Sequence, residues 1–133
     1  MKKFTKILAL TLVLVMSVVM LASCGGPNAD PDKAVDALKD NGYEASQDKR
    51  MVPVLSALIG IEKLESVVSA VKADDEFDAI TIFYFEDKAA ANDAWDKVED
   101  YINDEIDDDA DWIVKKSGAM IYAGSKDAIK AAK

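Results

Sequence analysis

The sequence has 133 residues, of which 16 are basic and 25 are acidic, and it contains no histidine and a single cysteine, Cys24. A chain of this length suits one domain better than two, and the lack of histidine excludes a Ser-His nucleophile and the usual His/Cys zinc sites. The acidic excess argues against nucleic acid as a partner, because phosphate contacts need lysine and arginine.

The first 23 residues have the three parts of a secretory signal peptide. Residues 1–6 include three lysines, residues 7–21 are apolar apart from Thr11 and Ser17, and small residues precede Cys24. The apolar run has 15 residues, whereas a membrane-spanning helix needs about 20. A cleaved signal peptide is therefore a better interpretation than a transmembrane helix.

The tetrapeptide Leu21-Ala22-Ser23-Cys24 resembles the lipobox of bacterial lipoproteins. In that family a diacylglycerol is attached to the cysteine sulfur, and a dedicated signal peptidase cuts just before the cysteine. The resemblance implies a signal peptide over residues 1–23 and a lipidated Cys24. The glycines and prolines that follow are typical of a linker, so the predicted tether covers residues 24–31, and the remaining residues, 32–133, are the predicted single domain. The resemblance also implies that the lipid holds the chain at the cell membrane, on the extracytoplasmic side.

Cleavage before Cys24 removes three lysines and no acid, which leaves 13 basic and 25 acidic residues and a net charge of −12. Solubility beside a repulsive surface accounts for this charge, and attraction of a basic partner or of cations is the alternative. Acylation of the only cysteine leaves no thiol for a disulfide, so the domain must depend on its own core.

The predicted domain begins with alternating helices and strands. A helix over 32–41, with Asp30 or Asp32 as its cap, ends at Asn41-Gly42. A short strand over 43–47 follows. The apolar segment 51–61 has no clean period, and Pro53 near its start favours a short helix. Residues 65–72 then alternate as a strand does.

Residues 79–85 give the strongest strand signal, because they are β-branched and aromatic throughout. We expect this strand to form a hairpin with the preceding one and to lie near the middle of the sheet. Asp87 is the predicted cap of a long helix over 88–106. Its apolar residues recur at helical spacing: Ala91, Ala94, Trp95, Val98, Tyr101, Ile102 and Ile106.

The chain closes with two predicted strands, 112–116 and 119–124, around Ser117-Gly118, and with a helix over 126–133 capped by Ser125. This order predicts the α+β class, as a two-layer domain with a mainly antiparallel sheet and helices on one face. The part from Tyr43 to Lys116 is also compatible with a ferredoxin-like β-α-β-β-α-β order.

The mature region is similar in style to the small uncharacterised lipoproteins common in Firmicutes. The shared features are a strand that ends in Tyr84-Phe85-Glu86-Asp87, an alanine-rich helix after it, and the stretch from Ser117-Gly118 to Tyr122-Ala123-Gly124-Ser125 before a last helix. This resemblance implies no particular activity.

Carboxylates and tryptophans are the remaining candidates for a site. Asp107, Asp109 and Asp111 belong to the densest acidic run and are candidate cation ligands, although the run lacks the glycine of a calcium loop and also suits a solvated helix end. Trp112 starts a strand beside these acids and is a candidate binding residue for a carbohydrate or a peptide. Core packing is nevertheless the better interpretation of both Trp112 and Trp95.

The leading hypothesis is a non-enzymatic binding or accessory domain without a cofactor, which meets an envelope protein or a cell-wall component. An exposed apolar patch would favour it. The alternative is a small carboxylate-based or cation-dependent hydrolase, which needs two converging acids in a pocket. A small-ligand carrier would need an enclosed apolar cavity.

Overall fold

The computed structural model describes residues 26–105 and 111–133. The predictions for Cys24, Asp107 and Asp109 therefore lie outside the described residues. In chain order the elements are helix α1 (Pro31–Asp40), strand β1 (Tyr43–Asp48), helix α2 (Met51–Ile59), strands β2 (Leu64–Lys72) and β3 (Asp75–Phe85), helix α3 (Lys88–Glu105), strands β4 (Ile113–Ser117) and β5 (Met120–Gly124), and helix α4 (Lys126–Ala131).

Local side-chain chemistry sets where the helices begin and end. Asp30 caps α1, Asp87 caps α3 and Ser125 caps α4, each by accepting a hydrogen bond from a backbone N–H of the first turn. Helix α2 ends at Gly60, whose φ of 80° lies in the left-handed region that glycine adopts at low cost. The predicted caps Asp87 and Ser125 are confirmed.

The five strands form one antiparallel sheet in the order β1-β2-β3-β5-β4. Strands β2 and β3 form the predicted hairpin, and β3 is the central strand. The α+β class and the antiparallel sheet are confirmed. Strands β1 and β4 are the two edges of this sheet, and Lys115 and Lys116 on β4 are both exposed.

Helices cover both faces of the sheet, so the predicted two-layer arrangement with helices on one face is wrong. On the first face, which we call the α1–α4 face, Leu38 of α1 packs in one cluster with Ile82. On the opposite face, the α2–α3 face, Val98 of α3 packs in a second cluster with Phe83. The physical reason is that β3 is apolar on both sides, as in strands that are buried between two layers.

The ferredoxin-like order is also wrong. Strand β1 pairs directly with β2 over six residue pairs, from Tyr43 with Lys72 to Asp48 with Val67, whereas a split βαβ unit places another strand between these two. Helix α2 packs against Val67 of β2 through Leu55. After α2, the chain therefore returns to the sheet as β2, directly beside β1.

The described part of the predicted tether packs against the domain. Gly26 and Pro27 are buried, and α1 begins at Pro31, inside the range expected for the tether. The backbone N–H of Asn28 donates to the carbonyl oxygen of Ala132, at the end of α4, at 2.8 Å. Within residues 26–105 and 111–133, no helix has the length and apolar character needed to cross a membrane.

Candidate apolar groove

An open groove of about 600 Å³ lies on the α2–α3 face of the sheet. Helices α2 and α3 form its sides, and strands β1, β2, β3 and β5 form its floor. This volume falls in the range of about 300–1,000 Å³ that is usual for ligand pockets. The lining residues are Ser46, Asp48, Met51, Leu55, Val67, Ser69, Phe77, Thr81, Phe83, Tyr101, Ile102, Glu105, Trp112 and Ala123.

The groove exists because a row of small side chains crosses the sheet beneath it. Ser46 pairs with Ser69, Ser69 with Thr81, and Thr81 with Ala123. Two residues further along the strands, the same face carries the large side chains of Val67 and Phe83, which pack under the helices. The small residues leave space above the sheet, and three of them place a hydroxyl group on the floor.

Two aromatic residues form the rim at the end where β3 begins. Phe77 is 45% exposed, which is unusual for so large an apolar side chain. Trp112 is half-buried, and its indole Nε1–H donates to the carbonyl oxygen of Phe77 at 2.9 Å. This bond ties the segment before β4 to β3 and holds the Trp112 ring beside the groove. The residue that was predicted as a binding candidate therefore lines the groove.

Helix α2 contributes an unusually apolar surface, because its nine residues include no charged side chain. Leu55 is its one buried residue, while Met51, Val54 and Leu58 are 42%, 56% and 66% exposed. At 100° per residue these three side chains lie next to one another on one side of the helix. We call them the α2 ridge, and its first member, Met51, also lines the groove.

In the part of the chain that the structure describes, the charged residues that line the groove are Asp48 and Glu105, and both are acidic. Asp48 accepts hydrogen bonds from the backbone N–H groups of Arg50 at 2.7 Å and Met51 at 3.3 Å, so it also fixes the start of α2. Glu105 is exposed at the end of α3. An apolar cleft with carboxylates at its sides is suited to an apolar group that carries a positive charge.

A second polar cluster lies away from the groove and joins three elements. The Asp78 carboxylate accepts hydrogen bonds from Tyr43 Oη and Ser125 Oγ, both at 2.7 Å. Burial, followed by the bond to Asp78, raises the pKa of Tyr43 above its ordinary value. Since Ser125 also caps α4, the cluster connects β1, β3 and α4. We interpret it as a structural link.

The remaining predicted site residues do not form a cation site in the described structure. Asp111 is exposed beside Trp112, while Asp107 and Asp109 lie outside the described residues. Within residues 26–105 and 111–133, no group of three or more His, Cys, Asp or Glu side chains is arranged to hold a metal ion.

The sequence indicated Trp112 as a candidate binding residue, which stays a prediction, and gave no indication of the other residues that line the groove. Phe77 follows three acidic residues, Asp74, Asp75 and Glu76, and since acidic residues are depleted in strands, the sequence gives no strand signal there. The sequence places the hydroxyl residues Ser46, Ser69 and Thr81 on predicted strands, but it does not indicate that they share one face of the sheet. Their alignment depends on strand register, and register is visible only once the strands are paired.

Comparison of the chain with protein-family models, with curated proteins and with solved structures gives no match.

Proposed function

We propose that this chain is a membrane-anchored extracytoplasmic lipoprotein whose domain is a non-enzymatic binding domain. The signal-peptide pattern of residues 1–23 and the lipobox that ends at Cys24 support the anchoring. The observation that supports binding is the groove of about 600 Å³ beside the α2 ridge. Monomeric proteins seldom expose large continuous apolar patches, and the patches that they do expose often meet a partner.

The occupant that we propose for the groove is a segment of an envelope protein with apolar side chains next to lysine or arginine. Aromatic residues and methionine are enriched in protein interfaces, and Phe77, Trp112 and Met51 supply such contacts here. Asp48 and Glu105 supply the opposite charge for a lysine or an arginine. The net charge of the mature chain, −12, also steers a basic partner toward the domain.

An amphipathic helix fits this geometry best. The groove lies between two helices, and a third helix can lay its apolar side chains between them, at the spacing seen in other helix-in-groove complexes. The hydroxyl groups of Ser46, Ser69 and Thr81 then lie beneath the bound helix. A second copy of this chain is a poorer occupant, because two domains with this charge repel each other.

The test uses the soluble domain, residues 26–133, with Trp95→Phe, so that Trp112 is the only tryptophan. Two synthetic helical peptides are titrated against its fluorescence: one has leucines and lysines, and the other has the same leucines with glutamates in place of lysines. We expect the lysine peptide to shift the Trp112 emission saturably and the glutamate peptide to leave it unchanged. Equal binding of both peptides, or of neither, would overturn the proposed occupant.

Two matched variants locate the contact. Glu105→Gln removes a carboxylate that lines the groove, and Asp96→Asn removes one on the opposite side of α3, nine residues earlier in the chain. An exposed ion pair contributes up to about 1 kcal/mol, so we expect Glu105→Gln to weaken the lysine peptide by up to roughly five-fold at low salt. Asp96→Asn should have a smaller effect. If the two variants weaken binding equally, only the net charge attracts the peptide.

A further inference from the structure

The segment that follows the lipobox is bound to one end of the domain. Tyr84 Oη donates to the carbonyl oxygen of Asn28 at 2.7 Å, and the Asn28 N–H donates to the carbonyl oxygen of Ala132 at 2.8 Å. Gly26 lies directly over the Tyr122 ring, since a Cβ at this position would be 3.2 Å from Tyr122 Oη. Residues 26–30 are therefore held in place by a strand, a helix end and an aromatic ring.

This segment lies at the end of the sheet where β2 begins, β3 ends and β4 turns into β5. A cavity of about 460 Å³ there is lined by residues 26–29 together with Glu65, Phe85, Gly118 and Lys133, among others. We call this the near end of the domain. The β2–β3 turn at Ala73 and Asp74 lies at the opposite end of the strands, which we call the far end.

We infer that the docked segment sets how the domain stands on the membrane, with its near end against the lipid headgroups and its far end away from them. The inference rests on the proposed lipid anchor at Cys24. Only two residue steps separate Cys24 from Gly26, and they span at most about 7 Å. Since Gly26 is fixed to the near end, this end cannot move far from the anchored residue.

The charges of the two ends agree with this orientation. The far end carries three consecutive exposed acids, Asp74, Asp75 and Glu76, and an anionic membrane surface repels them. The near end carries exposed charges of both signs, such as Glu65 and Lys133. The difference in charge between the two ends therefore disfavours the opposite orientation, in which the far end would lie against the membrane.

The orientation also places the proposed binding groove. Phe77, at the groove rim, is seven residues from Tyr84 along β3, which corresponds to about 23 Å at the usual rise per strand residue. Asp75 is nine residues from Tyr84, or about 30 Å. The groove rim is thus held clear of the lipid surface and open to a partner in the envelope.

The test uses the mature lipidated protein in phosphatidylglycerol–phosphatidylcholine vesicles. It compares the energy transfer to acceptor lipids from a fluorescent label at each of two positions. Glu65→Cys and Asp74→Cys are a matched pair, because both residues are exposed acids and lie at the near and far ends respectively. We expect several-fold more transfer from the label at position 65. Equal transfer from the two positions, in protein that floats with the vesicles, would overturn the proposed orientation without contradicting the lipid anchor.

Failure of the anchor is detected separately, because unlipidated protein does not float with the vesicles and its Cys24 thiol takes the label in the unsubstituted chain. A third variant tests the docked segment itself. Inserting about ten glycine and serine residues between Gly25 and Gly26 gives a flexible spacer of roughly 17 Å without changing the domain. We expect the difference between the two positions to become much smaller, and an undiminished difference would show that the docked segment does not set the orientation.

Discussion

Two leucines of α2 distinguish surface from core on a single helix. Leu55 is 9% exposed and packs against the sheet, whereas Leu58, three positions later, is 66% exposed. Each can be replaced by alanine, so the chemical change is the same. If the α2 ridge is a binding surface, only Leu55→Ala should affect stability strongly.

The expected magnitudes follow from these exposures. Replacing a buried leucine by alanine costs about 2–5 kcal/mol in the free energy of unfolding. Full burial of a leucine contributes about 1.5–3 kcal/mol, and Leu58 buries about a third of its surface, so Leu58→Ala should cost about 0.5–1 kcal/mol at most. For a domain of about 100 residues, each 1 kcal/mol lowers the Tm by about 4 °C.

Urea unfolding followed by circular dichroism measures both variants, and the fluorescence titration with the lysine peptide measures binding. We expect Leu58→Ala to unfold close to the unsubstituted domain and to bind the peptide more weakly. If Leu58→Ala destabilises the domain as much as Leu55→Ala does, the side chain of Leu58 is part of the core and the α2 ridge is not a free surface.

Three further outcomes are expected. Gly124→Ala should cost about 1–3 kcal/mol in urea unfolding, because its Cβ would lie 2.5 Å from the carbonyl oxygen of Ala79; an unchanged midpoint would refute this contact. Burial raises the pKa values of Tyr84 and Tyr122 above 10.0, so the free energy of unfolding is unaffected by the ionisation of these groups below about pH 10 and falls above it by up to about 1.4 kcal/mol per pH unit for each tyrosine. Tyr84→Phe should make the free energy of unfolding fall less steeply above pH 10, and the same slope in the variant and the unsubstituted domain would contradict this prediction. Cys24→Ser should abolish the incorporation of radiolabelled fatty acid into the protein, because the thiol that takes the lipid is gone, and incorporation that persists would contradict the lipid anchor at Cys24.

The elements that the sequence predicts well are those with strong local periodicity. Helix α3 was expected over residues 88–106 and is described over Lys88–Glu105, because its apolar stripe repeats at helical spacing. Strand β3 was expected from Ala79, and its β-branched and aromatic residues do form the central strand. It begins four residues earlier, at Asp75, because the hairpin pairing with β2 extends into residues that look like a polar turn.

The helices on both faces of the sheet do have a signal in the sequence, although the prediction placed them on one face. In residues 79–85, side chains on both sides of the strand are apolar: Ile80, Ile82 and Tyr84 pack on the α1–α4 face, and Phe83 and Phe85 pack on the α2–α3 face. A strand with one solvated face would alternate with polar residues. The sheet order, in contrast, could not be read from local patterns, because it depends on contacts that are distant in sequence.

The docked segment was missed for a different reason. Residues 25–31 contain two glycines, two prolines and an asparagine, a composition that is typical of linkers. Composition does not report the partners that lie across the fold, and here Tyr84, Tyr122 and Ala132 supply them. The groove was missed for the same physical reason, since its floor combines residues from four strands.

The two open edges of the sheet matter for a protein confined to a membrane surface as proposed. Anchored molecules share a thin layer, so their local concentration is far higher than for the same number of copies in solution, and sheet edges then meet often. An unprotected edge pairs with its copies and starts aggregates. Strand β4 carries Lys115 and Lys116 side by side, one on each face, so two copies cannot pair through their β4 edges without bringing lysines close together on both faces.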